Sequence, residues 1–359
     1  MRLIENRRYQ ELLRRLIAAF PRWERLEGKT LYLSGGAGML GSLLIDAVMT
    51  RNQSLPAERR CGITASGRSR KAGEERFAPW RSDPMFAFVE QDVSQPLREA
   101  PEAVDFWIHA ASTTHPLAYA TEPENTILAN VLGTRNLLAQ ASRVPGSRFL
   151  LLSSVEIYGE NRGDSERFRE DDCGYLNCNT LRAGYPEAKR VSEALCQAYI
   201  AEKGVDAVII RLPRCYGPTM RMTDSKAVAQ FIKKGVKGED IVLKSEGRQL
   251  YSYAHAFDAV LGMLWVLLAG ERGQAYNLAD AGSDIQLRDL ARIAADYAGT
   301  EVVFELPDET ERRGYSAASR ALLDGTRLRT LGWKAHYDIG AGIRETIDIL
   351  RELDGGEAV

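Results

Sequence analysis

The segment from Thr30 to Gly41, TLYLSGGAGMLG, restricts the fold of this chain more than any other stretch. It reads as a short apolar strand that runs through glycines at 35, 38 and 41 into a helix beginning near Met39. Glycines in such a turn permit a sharp reversal and let backbone N–H groups approach an anion, which then lies at the positive end of the helix. The spacing is G-x-x-G-x-x-G, whereas the dinucleotide fingerprint is G-x-G-x-x-G, so taken alone the segment also fits a purely structural turn.

The residues that follow supply the rest of an α/β sheet. Strands are expected at Cys61–Ser66, Phe86–Glu90, Val104–His109 and Phe149–Ser153, separated by helices, with alternation continuing to Arg211. This order predicts a parallel, doubly wound sheet. Beyond Gly217, helices at 224–234, 255–268, 286–298 and 341–353 alternate with short strands at 241–244, 275–279 and 301–305. The expected division is a helical extension over 1–28, a dinucleotide-binding domain over 29–216 and a smaller α/β lobe over 217–359, with the chain crossing back near 250–280. In the extension, Tyr9, Leu12, Leu13, Leu16, Ile17 and Phe20 recur at helical spacing. They fit a helix packed on the body, or a lid or subunit contact.

Bulk properties exclude several classes. Hydrophobic residues make up 45%, charged residues 27%, and the formal net charge is -2, which argues against nucleic acid as a partner. No apolar run approaches the roughly 18 residues of a membrane span, and the charged MRLIENRRYQ start argues against a signal peptide, so a cytoplasmic location is expected. The 5 cysteines are scattered, which fits reduced thiols, and Cys173 and Cys178 have no second pair at zinc-binding spacing, so no metal is expected.

Chemistry concentrates at strand ends. Asp92, after the third strand, is placed to accept from an adenine amino group, and His109-Ala110-Ala111-Ser112 sets small residues where ligands of open α/β sheets bind. The second strand ends in Ser66-Gly67-Arg68 and lacks the acid that accepts from an adenosine ribose. Arg68 fits the 2′-phosphate of NADP, stacking on adenine, or plain solvation. Tyr185 and Lys189 share a helix face at i, i+4 spacing. A neighbouring ammonium favours the phenolate of Tyr185, which then accepts a hydroxyl proton, while Ser154 hydrogen-bonds the reacting oxygen.

With SGGAGMLG, QDV, HAAS, NVLGT, SSVEIYG, YPEAKR, RLPRCYGP and AYNLAD in order, the chain resembles the extended short-chain dehydrogenase/reductase family of nucleotide-sugar epimerases, dehydratases and decarboxylases. The resemblance covers residues 30 to about 335. It implies a Rossmann-type fold, NAD or NADP as cofactor, and a homodimer built on the Asn130 and Tyr185 helices. It also implies a cofactor site of Gly35, Gly38, Met39, Leu40, Gly41, Asp92, Val93, Ala110, Ala111, Ser112, Asn130, Ser153, Tyr185, Lys189 and Leu212, to which Arg68 is added. Ser154, Tyr185, Lys189 and Glu156 are the expected catalytic residues, with Glu156 equally open to a structural role.

Departures bear on the reaction. Val155-Glu156 stands where family dehydratases carry Asp-Glu and UDP-glucuronate decarboxylases Ser-Glu. Tyr251 replaces the arginine of G-x-Q-x-R-S, and Arg214 replaces the asparagine of R-x-x-N-x-Y-G-P, offering a cation from another direction. Thr114, His115, Arg214 and Tyr251 are the expected substrate contacts. His115 and His255 are expected in the pocket wall, and Asp258 is expected to cap or orient a helix. The predicted function is transient oxidation of a nucleotide sugar, nearest to the UDP-glucuronate decarboxylase-like enzymes. Its alternatives are an NADPH-consuming reductase of a keto-sugar nucleotide and a catalytically silent NAD(P)-binding scaffold.

Overall fold

The computed structural model describes residues 2–97, 103–112, 119, 121–305 and 319–354. Along the chain the strands are β1 (Thr30–Ser34), β2 (Gly62–Gly67), β3 (Phe86–Glu90), β4 (Phe106–His109), β5 (Arg148–Ser154), β6 (Asp206–Leu212), β7 (Arg214–Tyr216), β8 (Ile241–Leu243), β9 (Leu250–His255), β10 (Ala275–Asn277), β11 (Asp284–Gln286), β12 (Val302–Phe304) and β13 (Arg320–Ala321).

Seven of them form one parallel sheet in the order β10-β6-β5-β4-β1-β2-β3. Its central strands are near-continuous apolar runs, as expected where helices cover both faces, and Phe149, Leu150 and Leu151 are fully buried. Strand order reverses between β1 and β4, which opens a crevice beyond their C-terminal ends. Ser34 and His109 face each other there in register. Their side chains lie 2.8 Å apart, and the Ala111 N–H donates to Ser34 Oγ at 3.3 Å. These contacts fix the floor of the crevice.

The second part of the chain returns to this sheet. Helix Ala256–Ala269 is apolar on all sides and buried along nearly its whole length. After it, β10 pairs with β6 at the sheet edge. The remaining strands build a sheet in which β9 pairs with β11, β13 and β7, and a two-stranded pair of β8 and β12.

His255 departs from its expected place in the pocket wall. It sits at the N-terminus of the buried helix, accepts from the Phe257 N–H at 3.2 Å through Nδ1, and meets Thr346 Oγ1 at 3.3 Å. Burial pushes its pKa down to about 3, so it is a neutral core residue. Asp258 ties this helix to a distant loop by accepting from the His336 and Tyr337 N–H groups at 2.8 and 3.1 Å.

The N-terminal helix Arg7–Ala19 buries Tyr9, Leu12, Leu13 and Leu16 against the body. The Tyr9 hydroxyl donates at 2.7 Å to Asp46, a fully buried carboxylate in helix Met39–Asn52 that also receives Trp80 Nε1 at 2.8 Å and the Arg76 guanidinium. The outer face of the same helix pairs Arg8 with Asp348 and Glu352 and Arg15 with Glu345, all on the C-terminal helix Ile339–Asp354. The extension therefore fastens to both ends of the chain's body.

Candidate active site

The glycine turn forms the rim of the crevice. Gly35 has a φ of +71°, and a Cβ there would lie 2.7 Å from the Ala111 backbone, so glycine alone fits. Gly38 precedes helix Met39–Asn52 as its N-cap. The open N–H groups of that helix end suit the pyrophosphate of a dinucleotide.

A continuous cavity of about 550 Å³ runs from Arg68 and Asp92 past the turn to Ser154, Tyr185 and Lys189. Its walls include Gly35, Gly38, Met39, Leu40, Gly41, Val93, Ala110, Ala111, Ser112, Ser153 and Leu212. It spans both sides of the switch point, and its donors and small residues fit an extended dinucleotide. Asp92 is exposed and accepts from Ser94 N and Oγ at 2.9 and 2.8 Å. Two expected contacts lie elsewhere. Asn130 is fully buried off the cavity wall, its Nδ2 donating to Thr126 O at 2.7 Å, because helix Pro123–Ala141 turns that face inward. Tyr251 is buried against Arg214, which lines the cavity where Tyr251 does not. Thr114 and His115 lie outside the described residues.

Helix Gly184–Lys203 brings Tyr185 and Lys189 under the end of β5. Ser154 is the last residue of that strand and presents its hydroxyl toward the Tyr185 phenol. Burial pushes Tyr185 up to about 12, and the neighbouring Ser154 hydroxyl opposes that rise. Burial draws Lys189 down to about 8, while the Glu193 carboxylate favours its charged form. The Lys189 ammonium donates to Leu152 O at 2.7 Å, which holds it beside the Tyr185 ring at 5.9 Å from the centroid. Behind the site, Glu193 accepts from Ser153 Oγ and pairs with Arg211 at 2.7 Å, joining β5, β6 and the Tyr185 helix.

Glu156 is held by two cations: Arg182 Nη2 at 2.8 Å from Oε2 and Arg214 Nη2 at 3.4 Å from Oε1. Arg182 also lies over the Tyr119 ring, which stacks on Tyr185. Arg182 and Tyr119 are site residues that sequence reasoning passed over, although Arg182 stands three positions before Tyr185. The same holds for Arg221 and Lys226, which close the cavity from the segment after β7. That segment latches onto the glycine turn, with Thr219 Oγ1 donating to Met39 O at 2.9 Å and Arg221 to Ala37 O at 3.3 Å.

The comparisons with known proteins agree with this geometry. The model of the NAD dependent epimerase/dehydratase family matches residues 31–279. UDP-glucuronic acid decarboxylase 1 of Xenopus tropicalis is 30% identical over 328 residues, covering 90% of this chain and 72% of the relative. UDP-glucuronic acid decarboxylase 3 of Arabidopsis thaliana is 29% identical over 317 residues, covering 87% and 86%. Among solved structures, dTDP-glucose 4,6-dehydratase from Streptomyces venezuelae with bound NAD superposes with a TM-score of 0.77 at 25% identity, covering 91% of this chain and 98% of that one. UDP-glucuronic acid 4-epimerase from Bacillus cereus shares the fold, with a TM-score of 0.76 at 17% identity over 90% of this chain and 99% of that one. With its glycine turn and its Ser154, Tyr185 and Lys189 group on that fold, the chain belongs to the NAD-dependent epimerase/dehydratase family.

Proposed function

We propose that this chain modifies a nucleotide sugar by oxidising one of its secondary alcohols transiently to a ketone. The observation that carries the reading is that Ser154, Tyr185 and Lys189 meet at one end of the same cavity that runs past the glycine turn. The nicotinamide, when bound, supplies the hydride acceptor for the alcohol carbon. Tyr185 takes the hydroxyl proton, Ser154 holds the phenol and the reacting oxygen in line, and the Lys189 ammonium favours the phenolate. Lys189 and Asp92 would hold the cofactor's nicotinamide ribose and adenine, respectively. The ketone acidifies the adjacent C–H and labilises a β-carboxylate, so epimerisation, dehydration and decarboxylation share this first step. The relatives that carry UDP-glucuronic acid in their names favour a uridine nucleotide.

The test is turnover of UDP-, dTDP-, GDP- and CDP-sugars, with products followed by mass. Tyr185→Phe should abolish product formation while leaving cofactor binding intact. Retained turnover in that variant overturns the reading. A second reading, net reduction of a keto-sugar nucleotide with NADPH, rests on Arg68 at a strand end that lacks a carboxylate. Steady loss of reduced-cofactor absorbance during turnover would favour it.

We further infer a homodimer. Ile127, Leu128, Leu181 and Val191 are exposed apolar residues on or beside the paired helices Pro123–Ala141 and Gly184–Lys203. Light scattering on Val191→Glu, expected to give a monomer, checks this. Free cysteines at 61, 173, 178, 196 and 215 suit a reducing compartment, and the cytoplasm is the proposed location. Among the described residues no helix is long and apolar enough to cross a membrane.

A further inference from the structure

Arg214 opens β7 and lines the cavity beside Glu156. Its guanidinium lies on the Tyr251 ring, with Cζ 3.5 Å from the centroid. Stacking of this kind fixes the plane of the fork and leaves its N–H groups to work at the edge, where a carboxylate is met bidentately. Nη2 reaches Glu156 across a long 3.4 Å contact. Nη1 is buried and has no hydrogen-bond partner among the described residues. A buried N–H of a charged group left unpaired is costly, so its presence beside a ligand cavity points to an anionic acceptor.

Arg182 accounts for the other charge. It donates to Glu156 at 2.8 Å, the shorter of that carboxylate's two ion pairs. One carboxylate thus faces two guanidiniums, and the group carries a net positive charge. Arg182 Nε and Nη1 are likewise buried with no partner among the described residues, but of the two guanidiniums Arg214 has the weaker hold on Glu156 and is the one that lines the cavity. Glu156 lies two residues beyond Ser154, and its backbone N–H donates to Ser154 Oγ at 3.2 Å. The free edge of Arg214 is therefore next to the group that handles the reacting hydroxyl.

We propose that Arg214, propped on Tyr251, is the specificity-determining side chain that binds a carboxylate borne on the sugar of the substrate, close to the carbon that is oxidised. This rests on the nucleotide-sugar reading above. The nucleotide diphosphate presents the same anionic oxygens, and the two sources are separated by experiment.

The test is calorimetric titration of the cofactor-loaded protein with UDP-glucuronate, UDP-glucose and UDP. UDP-glucuronate should bind more tightly than UDP-glucose by roughly tenfold to a hundredfold, the range for a hydrogen bond to a charged group. Arg214→Gln should remove that preference and leave UDP affinity unchanged. Tyr251→Phe should keep the preference, because the ring remains, and Tyr251→Ala should reduce it. Thermal melting and bound-cofactor content show that each variant is folded. Equal weakening of all three ligands by Arg214→Gln would assign the cation to the diphosphate and overturn the proposal, as would an unchanged preference. Failure of every sugar nucleotide, whatever its base, to bind the unaltered protein would instead count against the nucleotide-sugar reading itself.

Discussion

The ring of Tyr185 lies stacked on that of Tyr119, with centroids 4.9 Å apart and planes inclined by 21°. The Arg182 guanidinium lies over Tyr119 at 4.7 Å from its centroid. The Tyr185 phenol is thus braced from the side by a tyrosine and a cation. An aromatic pair of this kind contributes about 0.5–1.5 kcal/mol beyond its buried area. Tyr119→Ala is expected to lower kcat by about threefold to tenfold, and Tyr119→Phe to keep it. Steady-state kinetics on the two variants checks this.

Lys189 gives a pH signature. Its folded pKa, about 8, lies below the ordinary value of 10.5. Burying the ammonium therefore costs stability below about pH 8, and the cost fades as pH rises toward 10.5. Lys189→Met should raise the stability of the cofactor-free protein at neutral pH by on the order of 3 kcal/mol. The gain should shrink as pH rises through that window. Denaturant titrations at a series of pH values measure it, and activity should be lost at every pH.

Asp46 anchors the N-terminal helix with three donors in a fully buried setting. Removing the carboxylate leaves the Arg76 guanidinium without its counter-charge. Asp46→Ala should therefore destabilise the protein by about 3–5 kcal/mol, the cost of breaking a buried pair. Urea unfolding followed by circular dichroism provides the comparison.

Arg68 offers a test of cofactor preference. It is exposed on the cavity edge, and the acid that would accept from the adenosine ribose is absent from the end of β2. NADP should bind at least as well as NAD, and Arg68→Ala should weaken NADP by about tenfold or more with little change in NAD. Fluorescence titration with the two reduced cofactors reads the ratio.

The parts of the site held by local backbone chemistry were legible in the sequence. The glycine turn needs only a strand, three glycines and a helix, and Tyr185 and Lys189 meet through helix geometry alone. What depends on distant segments folding back was not. Asn130 carries a polar side chain suited to a ligand, but its position on the helix turns it into the core. Tyr119 and Arg182 acquire roles by meeting beside Tyr185 from separate parts of the chain, and no periodicity announces such a meeting. Asp46 left a readable trace, a lone charge in the apolar run LLIDAVM, whose partners 37 residues before and 30 and 34 residues after it only folding brings together.

The helix Arg7–Ala19 has a mechanical consequence. It is pinned to helix Met39–Asn52 through Tyr9 and Asp46, and to helix Ile339–Asp354 through Arg8 and Arg15. Swinging the C-terminal helix away from it would require breaking those ion pairs together. The N-terminal and C-terminal helices are thereby tied to one another, while at the cavity the short segment carrying Thr219 and Arg221 is held to the glycine turn by a single hydrogen bond from each of those side chains.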